Sequence, residues 1–218
     1  MIHFYISKNI KMSQVANLPL SRYNLKMTLA QDIQTCRLCA DRFAVTATRH
    51  SPRPVVWFRP TARILIAGQA PGARVHESGR PFTDASGERL RAWLGLDEAV
   101  FYDRDRIAIV PMGFCFPGYD AKGSDLPPPA LCRDTWHDKV MTELTDLELI
   151  LPVGLHAIRY HTGHKGSLTE AVMNWRADAP RLFPLPHPSW RNTAWLRKNP
   201  WFEAELLPDL RARIQTLL

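Results

Sequence analysis

The 218-residue chain contains no apolar run near the ~20 residues needed to cross a bilayer, which excludes a membrane-spanning helix. Its first residues carry no apolar signal segment and no small-residue cleavage site, so a cytoplasmic protein is expected. Internal repeats and low-complexity tracts are absent as well. One large domain is then the simplest organisation for this length. Acidic residues are in deficit, with 21 Asp and Glu against 28 Lys and Arg and a net charge of +7. A basic balance favours a polyanionic partner without naming one. Met12 and Met27 offer later starts, so residues 1–30 are set aside as a candidate N-terminal extension of a single domain over 31–218.

Four short apolar stretches have the character of buried parallel strands, each ending near Gly or Pro: Arg63–Ala67, Arg106–Val110, Leu147–Leu151 and Arg181–Leu185. Helical patterns separate them. Asp84 or Ser86 caps a helix bearing Leu90, Trp93 and Leu94, with Gly95 near its end. Leu131, Thr135, Trp136, Val140, Met141 and Leu144 form a second stripe, and His156–Tyr160 a short helix stopped near Gly163. The last helix takes Asn199 as cap and Pro200 in its first turn, with a stripe over Phe202, Leu206, Leu210, Ile214 and Leu217. Strands alternating with helices predict an α/β fold whose parallel sheet is covered on both faces. Ligands of such sheets sit beyond the carboxyl ends of the strands. That rule gathers three loops: Gly68–Phe82, Pro111–Gly118 and Pro186–Asn192.

The chain has four cysteines: Cys36 and Cys39 in a C-x2-C, then Cys115 and Cys132 with sixteen residues between them. A C-x2-C without a thioredoxin-like βαβ context points to metal binding. Zinc ribbons pair two short knuckles, whereas one short pair plus two isolated thiols suits the wider corners of an iron–sulfur cube. A chance pair and two buried free thiols is the alternative.

The segment "PLPHPSWRNTAWLRKNPWF" follows the fourth expected strand. His187 stands between two prolines, so the loop aims its ring, and an imidazole there can donate to a developing anion. Ser189, Asn192, Arg191, Arg197 and Lys198 offer phosphate contacts, and Trp190 and Trp195 can wedge into or stack on bases. A surface turn with two core tryptophans is the competing reading.

Taken together, the C-x2-C, "ARILIAGQAPG", "GRPF", the spaced cysteine pair, "VGLHAIRYHTG" and "HPS" before a basic loop resemble the uracil-DNA glycosylase superfamily. The likeness is closest to its iron–sulfur branch (family 4) and runs from about Cys36 to the C-terminus. The resemblance implies a three-layer α/β/α sandwich around a four-stranded parallel sheet. It also implies a [4Fe-4S] cluster on Cys36, Cys39, Cys115 and Cys132, with zinc as the alternative, and a damaged base in DNA as the substrate. His187 would stabilise the leaving base, and Phe82 would stack on it. Gly68, Gln69, Ala70 and Gly72 would cradle it with backbone N–H groups. Ser189, Trp190, Arg191, Asn192 and Arg197 would meet the DNA. A monomer is expected.

Three positions depart from that pattern. Val75 stands where the branch has a glutamate, Ala70 where a related branch has an aspartate, and Pro111 where a base-reading asparagine is usual. Gln69 is the expected substitute for the amide and His76 for the water-positioning group, ahead of Glu77 and Asp84. The leading expectation is a monofunctional glycosylase for uracil or another deaminated base in base excision repair. A weak or inactive nucleic-acid-binding protein that keeps the fold and cluster is the alternative. An enzyme of free nucleosides is the third reading. A branch that forms covalent DNA adducts is disfavoured, because residues 116–131 contain no histidine.

Overall fold

The computed structural model describes residues 27–218. Residues 1–26, most of the candidate extension, lie outside the described residues, and a capping box at Thr28 opens the first helix. The elements run α1 (Leu29–Gln34), α2 (Ala40–Ala44), β1 (Ile64–Ala67), α3 (Ala73–Ser78), α4 (Ala85–Leu94) and α5 (Glu98–Phe101). They continue with β2 (Ile107–Ile109), α6 (Ala130–Glu143), β3 (Leu149–Pro152), α7 (Leu155–Thr162) and α8 (Leu168–Met173). After the histidine loop come α9 (Thr193–Lys198) and α10 (Leu207–Gln215).

The sheet is parallel, in the order β2-β1-β3, with Ile64 opposite both Ile107 and Leu149. β1 is central and all four of its residues are buried. Its side chains alternate between the two faces, as the period of two requires. Ile64 and Ile66 pack with Leu90, Leu94, Phe202 and Leu210 on one side. Leu65 and Ala67 pack with Ile33, Val140 and Leu144 on the other. Helices α4 and α10 thus cover one face and α1 and α6 the opposite face, which gives the three-layer arrangement.

The expected fourth strand does not form a continuous ladder. Residues 182–185 lie alongside β3 through isolated parallel bridges, Ile150 to Leu182 and Val153 to Leu185. Phe183 N–H donates to Ile150 O, Leu185 N–H to Pro152 O and Gly154 N–H to Leu185 O. Pro152 has no N–H to supply the bond between these, so the ladder is broken in its middle.

The helix readings hold in their positions and shift in their details. Asp84, not Ser86, caps α4, accepting from the N–H groups of Ser86 and Gly87 at 3.1 Å each. On α6 the expected stripe fails at its start: Leu131 is 53% exposed and His137 is fully buried. Cys132 and Trp136, one turn apart, both face the cavity shared with the other cysteines, and that anchoring turns Leu131 outward. Asn199 does not cap the final helix. Its amide donates to Trp195 O at 2.8 Å instead. The stripe from Phe202 to Leu217 is buried as expected, but Phe202–Leu206 form a wide π turn. Pro208 offers no N–H to the Ala204 carbonyl and crowds that turn, which accounts for the widening.

Candidate active site

Beyond the carboxyl ends of β1 and β2, the first and third of the expected loops meet in a cleft of about 580 Å³. Gly68, Gln69, Ala70, Gly72 and Phe82 line it from the first loop, and His187, Ser189, Trp190, Arg191 and Asn192 from the third. The second loop reaches it only through Pro111, while Gly113, Phe114 and Cys115 line the cavity of the cysteines.

The cradle follows from its composition. Gly68 O and Gln69 O accept from the N–H groups of Met112 and Gly113, at 2.9 and 3.0 Å. Among the described residues the N–H groups of Gln69, Ala70 and Gly72 donate to no backbone carbonyl, which leaves them for a ligand. The Gln69 amide makes no side-chain hydrogen bond to the described residues and lies over Gly154. A Cβ on Gly154 would fall 3.0 Å from Gln69 Nε2, so this glycine gives the amide its space.

His187 is set by its own loop. Ser189 N–H donates to Nδ1 at 3.2 Å, so in the neutral ring Nε2 carries the proton. Asn192 Nδ2 donates to His187 O at 2.7 Å, and Arg89 Nη1 to Ser189 O at 3.1 Å. Burial lowers the His187 pKa, while the carboxylates of Asp84 and Asp125 oppose that shift and Arg191 adds to it. A neutral imidazole with a free Nε2–H is a hydrogen-bond donor suited to an anion that forms during reaction.

Other expected residues take different places. His76 does not line the cleft: Val75 does, and the next residue points about 100° round α3. Its ring packs against His50 at 5.3 Å and Phe116 at 5.9 Å, and burial lowers its pKa. Trp190 stands 76% exposed at the cleft edge, as a wedge requires. Trp195 is no wedge. It packs on Trp201 and Phe202 and donates Nε1–H to Thr169 Oγ1. Arg197 is exposed on α9, outside the residues that line the cleft.

Two carboxylates line the cleft: Asp84, ranked behind His76 from the sequence, and Asp125. Asp84 spends Oδ1 on the α4 cap and leaves Oδ2 without a protein hydrogen bond among the described residues. Asp125 arrives on the loop before α6 and was not singled out at all. The return path of that loop, with Leu126 N–H on Gly118 O, is a tertiary feature without a local signal.

Phe82 has a φ of 53°, in the left-handed region that costs a non-glycine residue ~1–3 kcal/mol. Its ring meets Phe101 edge-on at 6.1 Å.

All four cysteines line one apolar cavity beside the second loop, with Ile33, Phe43, Pro52 and Trp136. None is in a disulfide. Burial pushes the Cys115 thiol to about 12, with Cys132, Cys36 and Cys39 adding to the shift. Burial likewise pushes Cys132 to about 11, partly offset by the Phe114 N–H that donates to its sulfur at 3.3 Å. Mutually coupled, desolvated thiols with an N–H on sulfur suit a positively charged iron–sulfur core. Among the described residues no three His, Cys, Asp or Glu side chains stand close enough to hold one metal ion.

Residues 55–211 match the family model described as the Uracil DNA glycosylase superfamily. The chain belongs to that superfamily. Membership supports a hydrolase of the DNA glycosylase kind acting in DNA repair, and DNA as its substrate. No helix among the described residues is long and apolar enough to cross a membrane.

Proposed function

We propose that this superfamily member is a monofunctional DNA glycosylase that hydrolyses the N-glycosidic bond of uracil or another deaminated base. The observation that carries the reading is His187, with Nδ1 engaged and Nε2–H free, in a cleft shared with Phe82 and Gln69. The target nucleotide must leave the stack, because its sugar–base bond is inaccessible in a duplex. Trp190 and Arg191, at the cleft edge, fit the space it vacates. The base then stacks on Phe82, with its polar edge on the cradle N–H groups and the Gln69 amide.

As the bond from C1′ to the base nitrogen breaks, its electron pair moves to the base, and His187 Nε2–H stabilises the anion. Asp84 Oδ2 orients a water toward C1′ and favours the cationic sugar. The water oxygen bonds to C1′ and its proton passes to the carboxylate. This assigns to Asp84 the role expected of His76. A panel of oligonucleotides, each bearing one lesion, followed by alkaline cleavage of abasic sites, tests the reading. Asp84→Asn keeps the cap and should slow release about 100-fold. Gln69→Ala should cost about tenfold and relax base choice.

Cys36, Cys39, Cys115 and Cys132 would hold a [4Fe-4S] cluster. When bound, it would tie the α1–α2 segment to the second loop and leave the chemistry to the cleft. The purified protein is expected to absorb near ~400 nm and to bleach on reduction. A colourless protein with stoichiometric zinc would overturn the cluster but not the glycosylase. A monomer acting on DNA is the proposed working form.

A further inference from the structure

The wall of the cleft stands in a backbone conformation that its own chemistry disfavours, and a set of contacts from outside the cleft holds it there. Tyr102 Oη lies 2.8 Å from Pro81 O and 3.0 Å from Phe82 O, so one hydroxyl serves two successive carbonyls. Arg91 Nη1 donates to Phe82 O at 3.4 Å and to Tyr102 Oη at 3.5 Å. Tyr102 is itself fixed by the Arg80 guanidinium, 3.6 Å above its ring, and Arg80 pairs with Glu98 at 2.9 Å. From below, α4 presses against the same peptide. A Cβ on Gly87 would fall 1.8 Å from Phe82 O, so that position has room for hydrogen alone. Left-handed backbone at a bulky residue persists only where its surroundings over-determine it. Here they do.

We infer that Tyr102 is a positioning residue. Its hydroxyl holds the 81–82 peptides so that Phe82 stays at positive φ and presents its ring before any base arrives. Tyr102 does not line the cleft, so it acts through Phe82. Without the hydroxyl, Phe82 relaxes toward ordinary backbone, and a rotation in φ carries Cβ and the ring away from the cradle. The inference rests on the reading of Phe82 as the stacking wall. It gives a reason for Gly87, for the stacked Arg80 and for a strained residue at one site.

A double-mutant cycle of Tyr102→Phe and Phe82→Ala tests it, read both as kcat/KM for base release and as affinity for a duplex carrying 2′-fluoro-2′-deoxyuridine. Tyr102→Phe should lower each about tenfold, and Phe82→Ala about 30-fold. The double variant should match Phe82→Ala alone, because the hydroxyl has no other route to the substrate. Losses that multiply, or a Tyr102→Phe protein within twofold of the parent in both readouts, would overturn the inference. If Tyr102→Phe does not fold, Arg80→Gln unseats the same ring from the exposed side and enters the same cycle. Should the parent release no base at all, the glycosylase reading fails, while the affinities still decide whether the clamp exists.

Discussion

His187→Ala is expected to slow base release about 100-fold in single-turnover experiments while leaving DNA affinity almost unchanged. The split follows from geometry. The ring hangs from a loop fixed by Asn192 and Arg89 through backbone carbonyls, and neither bond involves the imidazole. Those two bonds hold the loop that meets DNA without the ring. What disappears is the Nδ1 acceptor for Ser189 N–H, a contact within the loop, and the Nε2–H, which matters when negative charge develops on the leaving base and little before. His187→Gln, which restores a donor, should recover part of the loss. Equal losses in binding and in release would mean that the ring holds ground-state substrate instead.

The second large effect concerns stability. His137 Nε2 and His161 Nε2 lie 3.3 Å apart in the interior between α6 and α7. One ring must donate and the other accept, so the contact is lost once both rings are protonated, and burial disfavours charge on either. Burial, reinforced for His137 by the His161 ring, lowers His137 from 6.5 to about 3, and burial lowers His161 to about 4. In the unfolded chain both take up protons below about pH 6.5, whereas in the fold they resist until much lower pH. Stability is thus full above that range and declines as pH falls toward the folded values. With two protons involved, denaturation at pH 5 should give a free energy about 3–4 kcal/mol below that at pH 7. Replacing both rings by leucine should remove most of that difference. A wild-type protein equally stable at both pH values would contradict the buried neutral pair.

Much of the site was legible because the family's motifs are local in sequence. The Gly68–Gly72 cradle, Phe82 and His187 each follow an apolar run that reads as a strand, and strand ends place them together. What was not legible depends on partners distant in the chain. The break beside β3 comes from Pro152, whose missing N–H matters only because residues 182–185 pair there. His76 was one helical step from the cleft, and no local pattern fixes the rotation of α3. The turn of α6 is set by Cys132 at a cavity shared with residues nearly a hundred positions earlier, which no apolar count predicts. Asp84 shows the limit differently. Its capping role was readable, and that role obscured its second oxygen.

Base release by the unaltered protein from the single-lesion panel is the most direct measure of the central claim. The account predicts abasic sites at one or more deaminated bases, with none at undamaged DNA and almost none from His187→Ala. Release from no lesion by a folded protein that still binds the oligonucleotides would contradict it and leave a non-catalytic DNA-binding protein.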